Sequence, residues 1–253
     1  MEASLYQSLI IGLMVGAASG AIGSFVILKR MALVGDAMSH IALPGIALAL
    51  LYGVDPFFGV LAFLVGAAVL VWWLEGRTKL APDALVGLLF TSSLAIGILA
   101  IPNAELLESL FGEFPALSPP AFFLIIGAAF LLIVATFALT KRFLLAVVSP
   151  ELAHVTNKRS DNLILFLIFA FVVALGIKLV GTLLMGALTI IPASIAKNST
   201  KSMKTFIVGS AVIGGAVSVG GVLIARTYGF IPGPTIILLG AGCFVLSLGL
   251  RRS

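Results

Sequence analysis

The sequence predicts an all-α, polytopic helical membrane protein with eight or nine transmembrane helices, two of them short and broken by proline. Three observations carry that prediction. Of the 253 residues, 61% are hydrophobic and only 10% charged, against roughly 25% charged in a soluble domain. Apolar runs near the length that crosses a bilayer recur from end to end. The basic residues fall in alternate connections between those runs. Ten acids and 15 bases cannot clothe a domain of this size against water, so most of its exterior must face lipid.

The runs lie at 5–28, 37–52, 56–74, 84–101 and 121–139, then at 163–180, 183–196, 206–225 and 231–250. Those at 37–52 and 183–196 are short and carry Pro44 and Pro192; the count is eight or nine according to whether the second of them crosses fully. The start, Met1-Glu2-Ala3-Ser4, lacks the basic region of a secretory signal, so the first run is expected to stay in the mature chain. Its Gly12, Gly16 and Gly20 repeat at four-residue spacing, as do Ser210, Gly214 and Ser218 in the eighth run. Small residues stacked on one face let helix backbones approach closely in lipid.

With nine crossings, every base except Lys178 and Arg226 falls on one side. Positive charge near span ends is retained in the cytosol, so the N-terminus is expected outside and the C-terminus inside a cell membrane. The net charge of +5 is then a topology signal, and no nucleic-acid partner is implied. The outer connection 102–120 holds Glu105, Glu108 and Glu113 and no base, a solvated loop or one that steers a cation or a basic partner.

Residues 1–253 read as a single transmembrane domain, the longest polar stretch being a cytosolic segment at about 141–161. One cysteine, Cys243, excludes a disulfide framework and a thiol redox pair. No G-x-x-x-x-G-K-[ST] loop is present. The chain cannot hydrolyse ATP alone and is expected to be no enzyme, with no permanently bound cofactor.

The most informative stretch runs from Arg30 to Gly45 and contains Gly35-Asp36-Ala37-Met38-Ser39-His40-Ile41-Ala42-Leu43-Pro44. A carboxylate and an imidazole four residues apart share one helix face, with Cβ atoms about 5–6 Å apart. An ionisable group at membrane depth costs roughly 2.5–3.5 kcal/mol or more and marks a pathway by default. Oxygen with nitrogen can hold one cation transiently. Pro44 has no N–H to offer the carbonyl of His40, so that oxygen is expected free. Two plainer readings stand beside this one: Asp36 as an N-cap accepting from Met38 or Ser39, and His40 as a buried imidazole bonded to a neighbour. Pro192, in Leu188-Thr189-Ile190-Ile191-Pro192, is expected to break its own span in the same way. Paired broken spans point to a central transport site.

Ser149-Pro150-Glu151-Leu152-Ala153-His154 reads as a helix start, with Ser149 as N-cap, Pro150 at the first helical position and Glu151 near the positive end. It is an interfacial helix or a docking lever for a cytosolic motor.

These motifs resemble the permease subunits of zinc, manganese and iron ABC importers. Gly35 to His40 with Leu43-Pro44-Gly45-Ile46-Ala47 matches the family stretch G-D-A-x-S-H-x-x-L-P-G-x-A, and Gly186 to Ala193 and Ile231 to Leu238 are similar to further family segments. The resemblance implies a homodimeric permease that works with a cytosolic ABC ATPase dimer and an extracytoplasmic metal-binding protein. It also implies Asp36 and His40 as transient ligands of a transported Mn, Zn or Fe ion, and Ser149 to His154 within the ATPase-coupling helix. The alternatives are a cation-coupled secondary transporter or channel without an ATPase, and a permease for an iron chelate.

Overall fold

The computed structural model describes residues 2–78, 80–100, 117–148 and 158–249. Every regular element among them is an α-helix. In chain order these are α1 (Glu2–Leu28), α2 (Ala32–Ile41), α3 (Leu43–Leu51), α4 (Pro56–Glu75), α5 (Pro82–Ala100), α6 (Pro119–Ala138), α7 (Thr140–Val148), α8 (Lys158–Ser199), α9 (Met203–Tyr228) and α10 (Pro232–Leu248). The start signals sit where physics wants them. Proline opens α4, α6 and α10, where a missing N–H costs nothing. The Asp55 carboxylate accepts from the Phe57 N–H at 2.8 Å, and Ser202 and Thr205 close a reciprocal capping box at the start of α9.

Among the described residues, seven helical stretches are long and apolar enough to span a membrane, with α2 and α3 counting together as one. The 17-residue α10 is apolar as well but shorter. The first half of α8 is one of the seven, and the 42 residues of the whole of α8 would run about 63 Å if straight. Gly181 prevents that: its φ of 78° and ψ of 172° leave the helical region at a conformation only glycine adopts cheaply. A Cβ at Gly176 would overlap the sulfur of Met185, a contact that a continuous helix could not make. Residues 182–199 therefore fold back along 158–180. Pro192 lies inside this returning half without ending it, so the break expected at Pro192 is at Gly181 instead.

α1, the α2–α3 pair and the first half of α8 are mostly buried, whereas α4, α5 and α6 show most of their surface. α6 presents Phe123, Leu124, Phe130 and Leu131 outward, an apolar face suited to lipid. At the centre, α1 and α9 meet through the predicted small residues. A Cβ at Gly20 would fall on the Ser210 carbonyl oxygen, and one at Gly16 would lie 2.5 Å from the Gly214 oxygen and 2.8 Å from Ser218 Cβ. Gly23 is pressed in the same way against Thr189 of the returning α8 half.

The two ends of the bundle differ. At one, the Gln7 side-chain amide exchanges hydrogen bonds of 3.3 and 3.4 Å with the backbone of Leu117. At the other, Lys29 donates to Asn162 at 2.5 Å, Asn162 donates to Glu75 at 3.0 Å, and Arg142 lies 3.6 Å from the buried Asp161. Four helix ends are thereby tied together where the basic connections converge. A buried carboxylate and amide are tolerated there because each has a partner. Phe143 of α7 packs edge-on against Phe25 at 5.2 Å, seating α7 against the same end.

Replacing Gly20 with Val should separate α1 from α9 and lower stability by about 1–3 kcal/mol or more. Gly66, around which no atom lies within 4 Å, should accept Ala without loss. Thermal unfolding of both variants in detergent, against the wild type, checks the pair.

Candidate metal centre

α2 begins at Ala32 after Met31, with no side-chain cap. Asp36 is therefore in the second turn and is not the N-cap of its helix. The helix stops after Ile41 and resumes at Leu43, with Pro44 in the first turn of α3. The carbonyl of His40 is not left free as the proline pattern suggests, because the Ala42 N–H turns onto it. What the interruption supplies is a corner that lets α2 and α3 pack on different neighbours, α2 beside the returning half of α8 and α3 beside α4. Gly45 and Gly59 make that second contact at backbone distance.

From Val34 to Ala47 every residue is buried except Asp36. Its side chain is 53% exposed, while that of His40 is 9% exposed. The nearest approach of the two is 4.0 Å, between His40 Nε2 and Asp36 Oδ1. That is too long for a hydrogen bond. A cation with bonds of about 2.0–2.2 Å to each atom nevertheless fits between them. His40 is held from behind by the edge of Phe90, ring centroids 5.3 Å apart, and its Nδ1 is buried without a hydrogen-bond partner among the described residues. The Ser39 hydroxyl donates to the Asp36 carbonyl at 2.7 Å, turning inward and leaving the carboxylate to itself.

Asp36 is positioned by its backbone. A Cβ at Gly186 would lie 2.6 Å from Asp36 Cα and 2.7 Å from its nitrogen, so the two main chains touch and no other residue fits. Gly186 is one turn from Thr189, which abuts Gly23, and Gly23 is five residues from the end of α1. At 1.5 Å per residue this puts Asp36 on the order of 10 Å inside the basic end of the bundle. The carboxylate is thus within the bundle and not at its rim.

The structure places Asp36 and His40 on α2 and Pro44 just past the corner, in the first turn of α3, and Pro192 lies two residues beyond Ile190 on the helix packed against α2. Ser149, Pro150, Glu151, Leu152, Ala153 and His154, and likewise Glu105, Glu108 and Glu113, lie outside the described residues. Two contributors escaped the sequence reading as site residues. Gly186 carries only the weak signal of a glycine just before a proline-containing run, and Phe90 carries none, since a single phenylalanine in an apolar span is indistinguishable from its neighbours. No group of three histidine, cysteine, aspartate or glutamate side chains forms a cluster among the described residues. Among the described residues the site therefore has two candidate ligand side chains, and that of Asp36 is open on one side.

Comparison with known proteins gives the family of the chain. Residues 1–251 match the model of the ABC 3 transport family. The chain is 31% identical to the high-affinity zinc uptake system membrane protein ZnuB of Haemophilus influenzae, over 98% of each protein. It is 32% identical to the manganese import system permease protein ScaB of Streptococcus gordonii, over 96% of this chain and 90% of that one. The solved structure of PsaBC from Streptococcus pneumoniae in complex with Fab superimposes with a TM-score of 0.83 at 30% identity, covering 96% of this chain and 90% of its counterpart. This chain, a polytopic helical membrane protein, belongs to the ABC 3 transport family.

Proposed function

We propose that the chain is the membrane-spanning permease subunit of an ATP-driven importer of a divalent metal, manganese, zinc or iron, and that Asp36 and His40 ligate the ion in passage. The observation that carries the reading is the exposed Asp36 carboxylate in an otherwise buried stretch, 4.0 Å from an imidazole. A charge left facing hydrocarbon would cost several kcal/mol; facing a path for cations it is an asset. Family membership and the manganese and zinc systems named for its relatives support the same reading.

Two ligands do not complete a coordination shell. A second copy of the chain, set across a two-fold axis, would add a second Asp36 and His40 and make a site of two oxygens and two nitrogens. Such a set, free of thiolates, binds borderline and hard dications without trapping them. The homodimer would also cover the open side of Asp36.

ATP hydrolysis falls to a separate cytosolic ABC ATPase dimer, docked on Ser149 to His154 between α7 and α8, and metal is delivered by an extracytoplasmic binding protein. In this arrangement the basic end of the bundle, with Lys29, Arg142 and Lys197, faces the cytosol. The N-terminus is outside, the C-terminus inside, and the protein resides in the cell membrane.

Asp36→Ala and His40→Ala should each lower ATP-dependent 54Mn or 65Zn uptake in proteoliposomes by on the order of 100-fold or more, since even outer-shell partners of metal ligands are worth 10–100-fold. ATPase binding should be retained. Uptake at the wild-type rate in both variants would refute the ligand assignment, and uptake that persists without the ATPase would favour a cation-coupled carrier or channel.

Deleting 149–154 should have the opposite signature, with the ATPase lost on co-purification and the metal still bound. Pull-down of the tagged ATPase from solubilised membranes, alongside metal binding to the variant permease, reads both.

A further inference from the structure

Beneath the Asp36 site, towards the basic end, lies a pocket of about 840 Å³. Its inner rim is formed by Ala32, one helical turn before Asp36, and Ile190, one turn after Gly186. From there the lining follows the returning α8 half through Ser194 to Lys197 and continues around its end to Lys201, just past the helix. Both ammonium-bearing side chains are exposed, and none of the described residues lining the pocket is acidic. The volume admits a hydrated ion with room to spare. A carboxylate and an imidazole thus stand on the helix whose first residue rims this chamber, and among the described residues the chamber's formal charges are both positive.

Resting on the import reading, we propose that this pocket is the chamber through which the metal leaves, and that Lys197 and Lys201 make it a place where a dication cannot linger. Topology alone would be served by lysines anywhere near the span ends. These two instead line a cavity whose rim, at Ala32, is one turn from Asp36. In a cleft with low-dielectric walls like charges are felt strongly. An ion that has left Asp36 and His40 meets rising repulsion if it pauses and stronger repulsion if it returns from the cytosol. Release is hastened and re-entry opposed, with no extra moving part. The same field would draw in small anions, which would lower the barrier to release by partnering the departing ion.

The pocket's charge can be read directly with a cysteine at Ser194, in a chain carrying Cys243→Ala and assembled with its ATPase in phosphatidylcholine vesicles. The thiol should react about tenfold faster with a negatively charged methanethiosulfonate than with a positively charged one, as two ammonium groups lining the same wet cleft would require. Lys197→Gln with Lys201→Gln should bring the two rates together. In Mn2+ uptake the same double variant, without the added cysteine, should lower both kcat and KM several-fold, because the ion is held longer.

An unreactive cysteine, equal rates for the two reagents in the parent, or unchanged uptake constants in the double variant would each overturn the proposal. A clear charge preference together with no Mn2+ uptake by the wild-type complex would overturn it differently, by removing the import reading on which it rests.

Discussion

The contact between Gly186 and the backbone of Asp36 is the constraint on which the rest of the candidate site depends. Two main chains can touch only where a Cβ is missing, and here a Cβ would come within 2.6 Å of Asp36 Cα. That contact locks α2 against the returning half of α8 and fixes how far into the bundle the carboxylate stands. It also explains why the side chain remains available: Asp36 is anchored by its backbone, so its carboxylate is not consumed in holding it. A positioned but unsatisfied carboxylate suits a ligand that must be exchanged, because each bond formed to the ion is a bond that no protein group competes for.

The same economy runs through the fold. Without water exclusion between helices, close packing has to come from small residues. Gly16, Gly20 and Gly23 of α1 seat two different neighbours, α9 and the second half of α8. α1 is therefore a shared spine between the helix that supports Asp36 and the helix that follows it. Polar groups are concentrated at one end, where Lys29, Asn162 and Glu75 bond in sequence. Lys29 stands at the end of α1, just before the helix that carries Asp36, and Asn162 is in the second turn after 149–157. If that segment is where an ATPase pushes, the bonded chain is a stiff route from it to the candidate ligands.

Much of this was legible in the residues, and the failures have physical causes. The spans, the α1–α9 glycine contact and the Asp36/His40 pairing rest on composition or on spacing within one helix, and those are local. The interruption at Pro44 was readable too, although the helix before it starts at Ala32, earlier than the apolar run, where Val34 and Gly35 are buried by tertiary packing. Pro192 misled: a proline removes one hydrogen bond, and a helix supported by neighbours on several sides continues through it, whereas Gly181 adopts a conformation that no neighbour can restore to helical. Gly186 and Phe90 were invisible as site residues because what they do is defined by what lies opposite them, at separations in sequence that no local pattern encodes.

The account centres on one ion shared by two chains through oxygen and nitrogen. Pulsed electron paramagnetic resonance of Mn2+ added to the purified permease, with stoichiometry measured on the same sample, examines that claim most directly. The expected result is one Mn2+ for every two chains, with nitrogen modulation that changes on 15N-histidine labelling and persists in His154→Ala. One Mn2+ for each chain, or an oxygen-only spectrum indifferent to the label, would contradict it.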